Sequence, residues 1–339
     1  MDWHNHFEQI FFKTWYKAGL PDHEDFKIEN IETNEFGNFN NDWIIDAPNI
    51  PPGLQTYQLQ SVYGFGVMVG VMFSRMLGLD ATQTKHTSDW CGRFNLGISL
   101  FDYICDELED GINSATSLQV FQPFTKVNYS DNHSLTVAEE LLSNLAGSVL
   151  NDVKKLAAKK EGSPKTDLLF KLMKQLFEAQ DFVSKQSLCA NADLDKIKKA
   201  LYFKSAEPFR VMAEYTARMA DANDGSLIKK ARSIGKAIGY CYWLIDDAKD
   251  VWIDLEAKQW NLFLLLAAKK DPGVFAQERD AFTHSRLLSI WEQSNHAQKI
   301  SNQVIKRLVH TVAGLELSKK TEQDSLGLVA ASLWQWYHY

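Results

Sequence analysis

Positive charge is scarce in this sequence: 36 Lys and Arg stand against 43 Asp and Glu, a net charge of -7 over 339 residues. Neutralising nucleic-acid phosphates needs a basic field, so a nucleic-acid partner is not expected. Cysteine is scarce too. The four, Cys91, Cys105, Cys189 and Cys241, have neither metal-ligand nor disulfide spacing and read as reduced core residues of a cytosolic protein. The opening Met1-Asp2-Trp3-His4-Asn5-His6 lacks a basic region, so no signal peptide is expected and the cytoplasm is the expected location. The longest apolar run, 63–79, is broken by Ser74 and Arg75. It falls short of a membrane span and reads as a buried helix. Segments of alternating period two, internal repeats and low-complexity tracts are missing as well, which removes the usual signs of a sheet or a solenoid.

What is present is helical periodicity and a large apolar fraction, 45% of residues, with 12% aromatic. Phe7, Ile10, Phe11 and Trp15 share one face of an N-terminal helix. Pro21, Gly37, Pro48, Pro51, Pro52 and Gly53 punctuate an irregular stretch over 20–53. Helices are predicted at 54–79, 87–110, 134–160, 165–187, 194–221, 225–256 and 259–270, with two or three more over 275–336. The segment 111–134 reads as a surface connection, with a loop over the mouth of the site as the other reading because it follows the first acidic row. The expected fold class is all-α: a single-domain helical bundle over 1–339, with 1–53 as helix plus irregular segment and 54–339 as helical core around a central cavity.

Two stretches carry chemistry. In Tyr242-Trp243-Leu244-Ile245-Asp246-Asp247-Ala248-Lys249-Asp250-Val251-Trp252-Ile253-Asp254, Asp246, Asp250 and Asp254 fall one turn apart on one helical face. Asp102, Asp106 and Asp110 repeat the spacing after another apolar run, and Gly111 follows as a stop signal. Carboxylates stacked this way repel unless a cation lies between them. A single acidic row is most simply a solvated face, but two rows embedded among apolar residues are poor candidates for surface. Hard oxygens at this spacing suit Mg²⁺, which takes one or two carboxylates per ion and fills the rest with water and phosphate oxygens. Two such helices facing across a bundle would hold a diphosphate through bridging ions.

These motifs resemble the trans-prenyl diphosphate synthase branch of the class I isoprenoid synthases, with their two DDxxD motifs. Asp246-Asp247-Ala248-Lys249-Asp250 matches the second, and Gly235-Lys236-Ala237-Ile238-Gly239-Tyr240-Cys241-Tyr242 resembles its G-x-x-x-G-x-x-[FY] lead-in. Asp102-Tyr103-Ile104-Cys105-Asp106 matches the first, with Tyr103 in place of the second aspartate. Tyr202-Phe203-Lys204-Ser205-Ala206 resembles Y-x-K-[TS]-A, whose lysine contacts diphosphate. Lys258 with 262–267 resembles K-x-T-x-P-L-L-x-A, its Thr and Pro replaced. The resemblance covers about residues 60 to 270. It implies catalysis through Asp102, Asp106, Asp246 and Asp250, and metal binding by these with Asp110 and Asp247. Three Mg²⁺ ions with diphosphate bound are implied as the cofactor. Lys204 and Lys258 would bind the diphosphate, with Arg210 and Arg218 as further donors from the helix of Lys204. Helical geometry puts Phe94, Ile98 and Ser99 beside Asp102, and Tyr242 and Trp243 beside Asp246, as candidate substrate contacts; core packing is the simpler reading for most of the aromatics.

The departures point to one diphosphate substrate. The family's basic stretch for isopentenyl diphosphate has no counterpart, since Asn49 to Gln58 carries no Lys or Arg, and the Arg-Arg-Gly after the first motif is missing from 111–116. Trp243 stands where a glutamine is expected. The resulting expectation is a terpene synthase that ionises a linear allylic prenyl diphosphate and cyclises or rearranges the cation. A prenyl diphosphate synthase or prenyltransferase is the alternative, and a non-catalytic regulatory subunit the third. The aromatic tail, Trp334-Gln335-Trp336-Tyr337-His338-Tyr339, is open to three readings: a cap on the bundle, a shield over the site, or a contact in a homodimer.

Overall fold

The computed structural model describes residues 2–22, 57–110, 191–221, 223–275 and 281–338, and isolated positions between 175 and 189. Within these, the side chains of 57–61, 100–110 and 281–282 are not described. Among the described residues the chain is all-α, in ten helices with no strand. They are α1 Trp3–Lys17, α2 Tyr57–Met76, α3 Ala81–Asp110, α4 Leu194–Ser205 and α5 Glu207–Ala220, followed by α6 Gly225–Ala257, α7 Leu262–Lys270, α8 Ala281–Ser294, α9 His296–Ala313 and α10 Lys319–His338. The helices expected over 134–160, the connection 111–134 and the basic-poor stretch before Tyr57 lie outside the described residues. None of the described helices is long and apolar enough to cross a membrane.

Caps explain where several helices begin and why some boundaries differ from expectation. Asp2 caps α1 by accepting from the His4 N–H at 3.1 Å. The helix expected from residue 87 starts at Ala81, because Asp80 and Gln83 form a reciprocal capping box. The Gln83 N–H donates to Asp80 Oδ1 at 2.8 Å, and the Asp80 N–H to Gln83 Oε1 at 3.2 Å. The single helix expected over 194–221 is two, broken at Ala206. Pro208 has no N–H to continue the ladder and its ring crowds the preceding turn, so α4 must end and α5 start afresh. The helix expected over 259–270 begins only at Leu262, capped by Asn261, whose Oδ1 accepts from the Leu264 N–H at 3.0 Å. Before it, Lys258 adopts a left-handed conformation (φ 62°) that ends α6.

The chain forms two compact units. One comprises Met1–Ile28, Glu178–Val211 and Arg232–Tyr339; the other comprises Glu29–Phe177 and Met212–Ala231. In the second unit α2 and α3 pack backbone to backbone. A Cβ on Gly66 would lie 2.5 Å from the Cys91 carbonyl oxygen, and one on Gly92 2.4 Å from the Tyr63 ring. Beside this contact Trp90 stacks between Phe94, centroids 5.0 Å apart, and Tyr215, at 3.7 Å.

The first unit is built on aromatics from α1. Trp3, Phe7, Phe11 and Trp15 are fully buried, and Trp3 packs on Phe263 and Trp291 at 5.1 and 4.5 Å. Each such ring contributes about 1.5–3 kcal/mol on burial, which suffices to bind α1 to α7 and α8. The Trp3 indole also donates to the Ala248 carbonyl at 3.1 Å, joining α1 to the middle of α6. Cys91 and Cys241 are buried as expected, and burial pushes both thiols far up. Cys189 is not a core residue: it lies exposed in the non-helical stretch 186–189, outside the helices whose apolar faces pack together.

Candidate functional site

The site is built on α6, which runs unbroken through both the glycine-containing lead-in and the carboxylate row. Gly239 sets its distance from α4. A Cβ there would meet the Ala206 carbonyl oxygen at 2.4 Å, so only glycine lets α6 approach the end of α4 this closely. Tyr202 of α4 packs against Tyr240 at 5.3 Å and Trp243 at 6.3 Å across the same contact. Lys204, between Tyr202 and Ala206, is thereby brought within electrostatic reach of Asp250 and Asp254, where burial raises both carboxyls and its charge weakly opposes the rise.

The carboxylate row itself is half-buried. Asp246 Oδ1 accepts from the Trp336 indole N–H at 2.9 Å. Burial, with the negative charge of Asp246 second, pushes the Asp250 carboxyl up to about 6, while Lys249 and Lys204 oppose the shift. Asp254 is pushed up to about 7, chiefly by burial; the Asn261 amide, donating to its Oδ2 at 2.8 Å, works the other way, and Asp250 raises it further. Three carboxyls of one helix face thus sit in surroundings that disfavour three uncompensated negative charges. A bound cation would reverse that balance.

Asp247 belongs to a different environment. It is 7% exposed, and its Oδ2 accepts from the Trp243 indole at 2.7 Å and from the Leu262 N–H at 2.5 Å. Its carbonyl accepts from the Asn261 amide at 3.2 Å. Burial first, then Asp254 and Asp246, drives this carboxyl well above the usual carboxylate range, against the pull of its two donors. The second aspartate of the motif therefore joins α6 to the start of α7.

No family model, curated protein or solved structure matches this chain.

The other sequence-predicted residues are distributed as follows. Trp243 is buried and spends its N–H on Asp247. Tyr242 is buried, stacked on Phe209 at 4.6 Å, and donates its hydroxyl to Ser332. Phe94 is fully buried in the second unit, with Ile98 and Ser99 half-buried further along α3. Arg210 is buried against Glu207, which also accepts from the Tyr202 hydroxyl at 2.8 Å. Arg218 reaches Glu214 through Nη2 at 2.7 Å. The break at Ala206 separates both arginines from the helix of Lys204. Lys258 is exposed at the left-handed end of α6. Asp102, Asp106 and Asp110 lie on the last turns of α3, whose side chains are outside the described residues.

Among the described residues no group of three or more His, Cys, Asp or Glu is gathered into a metal cage. The row on α6 fits an ion that takes only one or two carboxylate oxygens from any one helix, as Mg²⁺ does. Asp247 does not fit that donor set, because its carboxylate is committed to interior hydrogen bonds. Asn261, which touches the row, escaped the sequence reading although an Asn directly before an apolar helical run is a signal. Trp336 belongs to the aromatic tail for which a shield over the site was one of three readings, and its partner, an aspartate 90 residues away, had no local signal.

Proposed function

We propose that the protein is a Mg²⁺-dependent class I terpene synthase of the isoprenoid-synthase type, folded as one helical bundle and working in the cytoplasm. The observation that carries this reading is the half-buried row Asp246, Asp250 and Asp254 with Lys204 in its field. A purely structural helix face does not require a lysine from a separate helix within electrostatic reach of a carboxylate row that burial has already made costly.

Asp246, Asp250 and Asp254 would hold Mg²⁺, and the resemblance implies Asp102 and Asp106 as further ligands. Bound there, the metal supplies positive charge to a departing diphosphate. Lys204 adds a direct contact to the diphosphate oxygens, as an ammonium does for phosphate groups. A linear allylic prenyl diphosphate is the substrate. A single diphosphate is favoured because no Lys or Arg occurs from Asn49 to Gln58 to receive a second one.

The test is incubation with linear allylic diphosphates of increasing length, with and without isopentenyl diphosphate, followed by product analysis. A hydrocarbon or alcohol plus free diphosphate, unchanged by isopentenyl diphosphate, is expected. Recovery of a longer prenyl diphosphate would decide for the chain-elongating alternative. Asp106→Asn and Asp246→Asn should each suppress turnover, whereas Glu109→Gln should leave it nearly intact.

A further inference from the structure

The aromatic C-terminal tail is not used by the function proposed above, yet it touches the carboxylate row directly. We infer that Trp336 is a positioning residue for Asp246: its indole N–H fixes the orientation in which that carboxylate meets a divalent cation. The inference rests on the reading of Asp246 as a cation ligand.

The geometry around Trp336 is that of a fixed donor. Its N–H lies 2.9 Å from Asp246 Oδ1 although the side chain is 37% exposed. The turn carrying it is held from three directions. Tyr337 is 6% exposed and donates its hydroxyl to the His4 carbonyl at 2.9 Å, tying the end of α10 to α1. Lys249, on α6 itself, donates to the Trp336 carbonyl at 3.3 Å, with its ammonium 5.9 Å from the Trp336 ring. One turn earlier, Ser332 accepts from Tyr242 of α6. The backbone of this turn is fastened to α1 and α6, so the indole is presented to Asp246 from a fixed position on α10. From there it acts as a neutral donor to one carboxylate oxygen.

A hydrogen bond to one oxygen sets the plane of a carboxylate, and such outer partners govern how well a ligand binds its metal. The indole is well suited to this task next to a row of like charges. It donates without adding positive charge that would compete with the cation, and it has no acceptor to add to the repulsion. Lys249 holds the same turn through the backbone carbonyl of Trp336.

The decisive experiment is calorimetric titration of the 339-residue chain with Mn²⁺, alone and with inorganic diphosphate, for the wild type, Trp336→Phe and Asp246→Asn. Phenylalanine keeps an aromatic ring but has no N–H. Cation affinity should fall about ten- to a hundredfold in Trp336→Phe, with the thermal midpoint nearly unchanged, and at least as far in Asp246→Asn. Weakening in Asp246→Asn with unchanged or tighter binding in Trp336→Phe would overturn the role of Trp336 and leave the cation site standing. No Mn²⁺ binding to the wild type, or unchanged affinity in both variants, would overturn the cation site and the role of Trp336 together. Should Trp336→Phe fail to fold, benzothienylalanine at position 336 serves instead, since it keeps the indole shape and lacks only the N–H.

Discussion

Asp246 and Asp247 are adjacent in sequence and end in different surroundings on α6. Asp246 is half-buried, in line with Asp250 and Asp254, and meets the C-terminal turn. Asp247 is buried, and both of its hydrogen-bond donors come from the interior, Trp243 and the first turn of α7. A step of about 100° around a helix of 3.6 residues per turn is all that separates them. The comparison teaches that a repeated acidic dipeptide need not be two copies of one role. One carboxylate stands in the half-buried row; the other joins α6 to the start of α7.

The comparison breaks most visibly at Asp247 itself. Asp247→Ala strands two buried donors, each costing about 1–3 kcal/mol, whereas Asp246→Ala removes a partly solvated charge from a repulsive row and should change stability little. Denaturant unfolding of the two variants checks this, and equal losses would contradict the assignment. Asp247→Asn keeps an accepting oxygen and should recover most of the stability.

Next in size is Gly239→Ala. A methyl 2.4 Å from the Ala206 carbonyl oxygen forces α4 and α6 apart, at about 1–3 kcal/mol for overpacking. Lys204 should then draw away from the row, so diphosphate affinity should fall along with stability. A variant that loses stability but keeps its diphosphate affinity would detach Lys204 from the site.

A smaller effect is expected at Asn261, which caps α7 and also donates to Asp254. Asn261→Ala should cost about 0.5–2 kcal/mol as a lost cap. It should also push the Asp254 carboxyl higher, because the donor that opposes the rise is removed. Carboxyl titration followed by NMR separates the two consequences.

The subtlest test is pH. Asp250 and Asp254 titrate near about 6 and about 7 in the folded chain, against 3.8 for an ordinary aspartate. The folded protein therefore holds protons that the unfolded chain has already released. Metal-free stability from these groups should be greatest below pH 4 and decline as pH rises through about 7, then level off. Added Mg²⁺ should flatten that decline, since the metal takes over from the protons. A metal-free stability that rises between pH 4 and 7 in the wild type, but not in an Asp250→Asn, Asp254→Asn double variant, would contradict the burial of the row.

The sequence by itself determined a good deal. Helical class, the span of α6, the approximate positions of α2 and α3, and the i, i+4, i+8 alignment of both acidic rows follow from local periodicity and fixed helical geometry. The capping box at Asp80 and Gln83 and the proline break before α5 are also local, and were legible in principle. What the tertiary structure alone decided is how identical residue types were sorted. Whether an aspartate faces an indole from the C-terminus or the N-terminus of the next helix depends on contacts spanning 90 residues in one case and 15 in the other. Trp243 beside the motif turned out to hold Asp247, and Arg210 to pair with Glu207. Helical spacing fixes which side chains share a face; burial, and the donor that each side chain meets there, depends on which helix packs against that face, and no local pattern encodes it.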